Sequence, residues 1–347
     1  MRTERFDPEN DTVAVRACHD IHVAAYRADG VRRAPMSPRV FSTWMRDGSA
    51  ESPVESWLAR DDEGEVLGWY LLCLPDRENP HVADVTAVVA PSRRRAGLGT
   101  ALLGHAADRA RQADRTLLTG HSQEAGAGAD FARALGATRT LAGVFWALRP
   151  RSLPAGRLAA LRAEAEAAAA GYSLVSWEGP TAEYRLVEVA ALFGVEADAP
   201  RAEGAEPPGW DPARVRTCDQ RIADQGWRYY TVAARAPRSG RLVAITQLGV
   251  DPFDGSAFQQ LTAVTGPHRG HRLGLLVKVA MLELLAAHEP QVTQILTLTA
   301  TGNEHMDTIN TQLGFTVLER QLSWELGTAR IPRPADLGAP SPGATQP

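Results

Sequence analysis

The chain has 347 residues, a net charge of −4, 44% apolar and 22% charged side chains. That is long for one core and comfortable for two domains. The mild negative balance gives no basic field for nucleic acid, no segment approaches the ~20 apolar residues of a membrane span, and the N-terminus lacks an apolar secretory stretch. A cytoplasmic protein without a membrane partner is expected, with nucleic acid disfavoured.

Apolar periodicity and breakers predict helices over 13–28 and 38–47, separated at Pro35 and Pro38. A hairpin follows, 56–60 with 66–72, around Asp61-Asp62-Glu63-Gly64. A strand over 82–90 enters a basic turn. The helix leaving it carries Leu98, Leu102 and Ala106 on one face. Then come a strand at 116–119, a helix near 126–135 and a strand at 142–148. Alanine, leucine, arginine and glutamate favour a connecting helix over 151–171.

The second half repeats the order. A strand at 172–177 turns at Gly179-Pro180, a helix covers 182–193, and a proline-rich loop runs from Asp198 to Pro212. A hairpin pairs 228–233 with 242–246. The strand at 258–265 enters a second basic turn, and its helix shows Leu273, Val277, Ala280, Leu284 and Ala287 before Pro290 stops it. The expected division is therefore 1–150 and 172–326, joined by 151–171, with a disordered tail over 327–347. Cys18, Cys73 and Cys218 are odd in number and far apart, which fits neither a disulfide framework nor a zinc cluster; no metal is expected.

The repeated strand–turn–helix carries the chemical signal. Its first copy reads Arg93-Arg94-Arg95-Ala96-Gly97-Leu98-Gly99-Thr100; the second reads His268-Arg269-Gly270-His271-Arg272-Leu273-Gly274. Glycines let backbone approach a bulky anion, and a helix N-terminus aims free N–H groups at it. The GxxxxGK[ST] spacing of a P-loop and the full dinucleotide fingerprint are both absent.

Arg94, Gly97 and Gly99 match the [Gln/Arg]-x-x-Gly-x-[Gly/Ala] signature of the GNAT acyltransferase superfamily, and the chain resembles that family in tandem form. Arg269 and Gly274 match in the second copy, where Arg272 stands at the middle glycine. Asn303 to Phe315 is similar to the family's helix that ends in Leu-Gly-Phe, and Phe131 to Ala137 is its weaker counterpart. The resemblance implies two mixed α/β domains, each a central, mostly antiparallel twisted sheet flanked by helices. It implies an acetyl-CoA or other acyl-CoA site, with Arg94, Arg95, Ala96, Gly97, Leu98, Gly99 and Thr100, or Arg269, Gly270, His271, Arg272, Leu273 and Gly274, around the pyrophosphate. By the same analogy the backbones of Ala87 and Val89, or Thr262 and Val264, pair with pantetheine.

The implied activity is acetyl transfer from the thioester to a small-molecule amine. Two alternatives remain: an aminoacyl or other acyl transferase on the same fold, and a non-catalytic acyl-CoA-binding module. An ammonium acceptor must first lose a proton, and Asp84, on the strand before the first turn, is the candidate base. The tyrosine that many family members use to protonate the thiolate is replaced by Ala132 and Asn310, leaving Asn310 as the candidate hydrogen-bond donor to sulfur. The second half, with the closer resemblance, is favoured slightly for turnover. The acceptor and the oligomeric state are not encoded legibly.

Overall fold

The computed structural model describes residues 1–48, 52–195, 200–252 and 254–332. It divides into two compact units. One comprises Met1–Thr140 together with the described residues from Leu322 onward; the other comprises Leu141–Gln321.

In the first unit, β1 (Arg2–Arg5), β2 (Val54–Arg60), β3 (Val66–Cys73), β4 (Val82–Val89), β5 (Leu117–Gln123) and the end of β12 (Thr316–Gly327) lie side by side in that order. β1 through β4 are antiparallel, and β4 with β5 is parallel. On one face, α1 (Thr12–Ala28) and α2 (Pro38–Asp47) bury Cys18, Ile21, Phe41 and Met45 against Leu58, Trp69 and Leu71. On the other, α3 (Leu98–Gln112) packs Leu102, Ala106 and Ala110 against Tyr70, Leu72 and Val85. Strand alternation sends Trp69 and Tyr70 to opposite faces, both fully buried. α4 (Ala127–Ala134) follows β5.

In the second unit the order is β6 (Thr138–Leu148), β11 (Gln294–Ala300), β10 (Ser256–Val264), β9 (Leu242–Val250), β8 (Arg228–Arg235) and β7 (Ser173–Glu178). Again one neighbour pair, β10 with β11, is parallel. α5 (Arg157–Ala168) and α8 (Leu273–His288) cover one face; α6 (Leu186–Phe193) and α7 (Pro212–Asp224) cover the other. α9 (Glu304–Leu313) ends at left-handed Gly314.

The chain leaves the first unit within β6 and returns to it within β12. Residues 141–150, expected in the first domain, thus lie in the second unit, and 322–326 lie in the first. The edge of β5 is covered by a strand about 200 residues downstream, held where Trp324 Nε1 donates to Ser122 Oγ at 2.8 Å. The predicted tail departs from its expectation over 327–332. Thr328 and Ile331 are buried, the Thr328 N–H donates to Thr116 O at 2.9 Å, and Ile331 joins the α3 core. The rest of that tail, and Asp198 and Ala199 of the proline-rich loop, lie outside the described residues. The sequence reading also missed α7, whose apolar stripe is thin but whose N-cap is explicit: Asp211 accepts from the Arg214 N–H, with Pro212 in the first turn.

Candidate functional site

Both parallel strand pairs come apart partway along. β4 pairs with β5 only from Val82↔Leu117 to Asp84↔Thr119, although the two strands continue to Val89 and Gln123. β10 pairs with β11 from Ser256↔Gln294 to Gln259↔Thr297 and then diverges. The freed edge can be read from parity. The Ala90 N–H donates to Leu67 O on β3, so successive alternation turns the backbone groups of Ala87 and Val89 toward the gap. The Thr265 N–H donates to Val243 O on β9, which likewise turns Thr262 and Val264 outward. A sheet edge without a partner is a place where an extended, amide-bearing ligand can add.

Beyond each edge the two basic turns repeat one backbone. Each opens with a single 3₁₀ turn, Pro91–Arg93 or Gly266–His268. Each then takes two left-handed residues, Arg95 (φ 64°) and Gly97 (φ 82°) in one, Gly270 (φ 84°) and Arg272 (φ 53°) in the other. The mismatch at Arg272 is thus one of residue type, not of conformation. A non-glycine residue pays about 1 kcal/mol or more for that region, so each loop carries one strained arginine and one relaxed glycine.

Arg94 and Arg269 fold back alike, donating Nε–H to the Val89 carbonyl at 3.4 Å and the Val264 carbonyl at 3.2 Å. Arg94 also grips Asp29 at the end of α1, at 2.5 and 3.0 Å. Its guanidinium therefore braces the loop. Arg272 pairs with Glu164 on α5, and Tyr172 holds His268 at Nδ1, 2.8 Å. Exposed Arg95 has no side-chain partner among the described residues.

Among the described residues, no acceptor meets the amides from Arg95 through Thr100, or from Gly270 through Leu275. A Cβ built on Gly97 or Gly270 would meet nothing within 4 Å, so the space above each cradle is open. Gly99 and Gly274 serve packing instead. Their Cβ positions would lie 3.5 Å from Phe131 and 3.1 Å from Ile309. Free amides at a helix N-terminus, open space and an adjacent cation fit a diphosphate.

The two units part company at the point where the strands separate. In the first, Asp84 accepts from Thr119 Oγ1 at 2.9 Å and lies 4.0 Å from His121 Nε2. Burial pushes the Asp84 carboxyl above its usual range, partly offset by His121 and by the Thr119 hydrogen bond. His121 and Ser323, which donates to or accepts from its Nδ1 at 3.1 Å, were not found from sequence. β5 was read as ending at 119, and β12 was not assigned to this unit.

In the second unit the equivalent of Asp84 is Gln259, buried and donating to Thr246 Oγ1 at 2.7 Å. Thr297 donates to Gln259 O, and Thr299 takes Trp146 Nε1 and gives to Asp307. Gln259 Nε2, Thr297 Oγ1 and Thr299 Oγ1 are thus each hydrogen-bonded within the unit. Asn310 is fully buried, its Oδ1 2.6 Å from Lys278 Nζ, so it faces the core and not the open edge.

Residues 16–137 match the Acetyltransferase (GNAT) family. A tandem GNAT protein from the clavulanic acid biosynthesis pathway, solved without AcCoA, is 29% identical, with TM-score 0.78 over 94% of this chain and 98% of that one. A GCN5-related N-acetyltransferase from Sphaerobacter thermophilus is 14% identical, with TM-score 0.69 over 96% of each chain. A glucosamine N-acetyltransferase region of a fungal GH3 beta-N-acetylglucosaminidase is also 14% identical, with TM-score 0.63, covering 93% of this chain and 38% of that one. The last two share the fold alone. No curated protein matches. Among the described residues, no helix is long and apolar enough to cross a membrane.

Proposed function

We propose that this chain, a tandem member of the GNAT superfamily, transfers an acetyl group from acetyl-CoA to the amine of a small molecule, and that the first unit does the chemistry. The observation carrying this reading is Asp84, a carboxylate held by Thr119 at the mouth of an open strand edge, beside a cradle of free amides. The slight sequence preference for the second unit gives way because Gln259 stands where the first unit has Asp84, its amide already donating to Thr246.

Acetyl-CoA bound there supplies the acyl group as an activated thioester. The amides of the Arg95–Thr100 turn and the Arg95 guanidinium would hold its diphosphate. The outward backbone groups of Ala87 and Val89 would pair with its pantetheine arm, one N–H serving the acyl carbonyl. Asp84 draws in the acceptor's ammonium and favours release of its proton, leaving a nucleophilic lone pair.

For the second unit, the matching cradle beside a strand that bears Gln259 in place of a carboxylate supports acyl-CoA holding without turnover. Release of free CoA from acetyl-CoA, measured over a panel of small primary amines, tests the assignment. Asp84→Asn should lose about 100-fold in kcat/KM, and Gln259→Ala should leave the rate unchanged. Equal rates in wild type and Asp84→Asn would remove the first unit from the chemistry.

A further inference from the structure

Four side chains from three strands meet where β4 and β5 separate. Thr119 Oγ1–H fixes Asp84 at 2.9 Å, Asp84 lies 4.0 Å from His121 Nε2, and Ser323 Oγ lies 3.1 Å from His121 Nδ1. Ser323 belongs to the first unit although it comes late in the chain. Its strand is anchored beside β5 by the Trp324–Ser122 hydrogen bond. The His121 side chain is 47% exposed, open to an incoming substrate, whereas Asp84 is 30% exposed. Among the described residues, Asp84 is the one carboxylate within 4.0 Å of the imidazole.

We infer that His121 is the proton acceptor for the amine, with Ser323 the positioning residue that fixes its tautomer. The inference rests on the acyl-transfer reading above. With the Ser323 oxygen accepting Nδ1–H, one of the two roles its hydroxyl can take, the Nε2 lone pair lies on the Asp84 side. An ammonium drawn to Asp84 gives its proton to that lone pair. One N–H bond of the substrate breaks, the Nε2–H bond forms, and the positive charge passes to the imidazole. The Asp84 carboxylate stabilises the imidazolium, and the amine keeps the electron pair needed for attack. Water takes the proton from exposed His121 between turnovers.

Two measurements test this, one of them independent of turnover. In ¹⁵N-histidine-labelled protein titrated across roughly pH 5 to 8, with His121→Gln assigning the signal, neutral His121 should show the Nδ1–H tautomer. Ser323→Ala should mix the tautomers. An Nε2–H tautomer in wild type overturns the inference. In the CoA-release assay, His121→Gln should lose about 100-fold in kcat/KM with unchanged calorimetric affinity for acetyl-CoA. Ser323→Ala should move the acidic limb of the pH–rate profile, which a loss of packing would not do. Wild-type rates in His121→Gln refute it. Failure of the acyl-transfer reading looks different: the histidine signature persists in a protein that neither binds acetyl-CoA nor releases CoA.

Discussion

Lys278 Nζ lies 2.6 Å from Asn310 Oδ1 inside the second unit, with the Phe315 ring centroid 5.2 Å away and no carboxylate in reach among the described residues. The side chain is 1% exposed, and burial alone draws its pKa from 10.5 down to about 7. The first unit places Leu103 and Ala132 at the equivalent positions. The unfolded chain keeps this proton up to 10.5, whereas the folded one releases it near 7. Stability of the second unit should therefore rise with pH through that window, by up to about 1.4 kcal/mol per pH unit. Denaturant midpoints should climb from neutral to alkaline pH in wild type. They should stay flat, and lie higher at neutral pH, in a Lys278→Leu, Asn310→Ala double variant. Parallel curves for the two proteins would show the lysine to be charged throughout.

Gly97→Glu puts a carboxylate into open space directly above the first cradle, and Gly270→Glu does the same in the second. Each also strains a left-handed residue by about 1 kcal/mol, too little to unfold a unit. Calorimetry with acetyl-CoA should show the site of the altered loop lost, at least 10-fold weaker by charge repulsion, with the other site intact. Binding unchanged in both variants would place the ligand elsewhere.

The Asp29–Arg94 grip joins α1 to the first cradle through two half-buried groups. Asp29→Ala leaves Arg94 only its Val89 contact. The expected cost is below about 1 kcal/mol in stability, and up to about fivefold in acetyl-CoA affinity through a looser loop. Asp29→Glu should recover part of the affinity. An undiminished affinity in the alanine variant would mean the loop is held without α1.

Ending the chain at Gln321 removes Trp324, Leu326 and Ile331, all buried in the first unit. Leu326 and Ile331 each contribute roughly 2 kcal/mol of burial, and β5 loses its neighbour. Hydrogen exchange should accelerate across β5 and α3 of this truncation, while α8 and β9 stay protected. Equal acceleration in both units would mean that they unfold as one.

The element order was legible because apolar periodicity and turn residues act locally: α1, the 56–72 hairpin and α8 all stand where the pattern put them. Which strand closes which sheet was not legible. Strand pairing is set by non-local contacts, and β6 and β12 each fit either sheet by composition. The cradle residues were legible from glycine and arginine spacing. His121 and Ser323 were not, since a lone histidine and a lone serine become a pair only when two strands about 200 residues apart are laid together. Asn310 was found for its position in the helix, but its direction depended on Lys278, whose burial no local pattern announces.

The transposed glycine has a consequence for recognising such chains. A signature written as letters asks for glycine at one fixed position, whereas the turn itself needs relief from steric crowding at either of two hinges. The first loop spends its glycine at the later hinge and the second at the earlier, and the family match covers 16–137 alone. The two loops keep one backbone with their glycines at opposite hinges, so paired positive torsions identify this turn where residue identity at a single position does not.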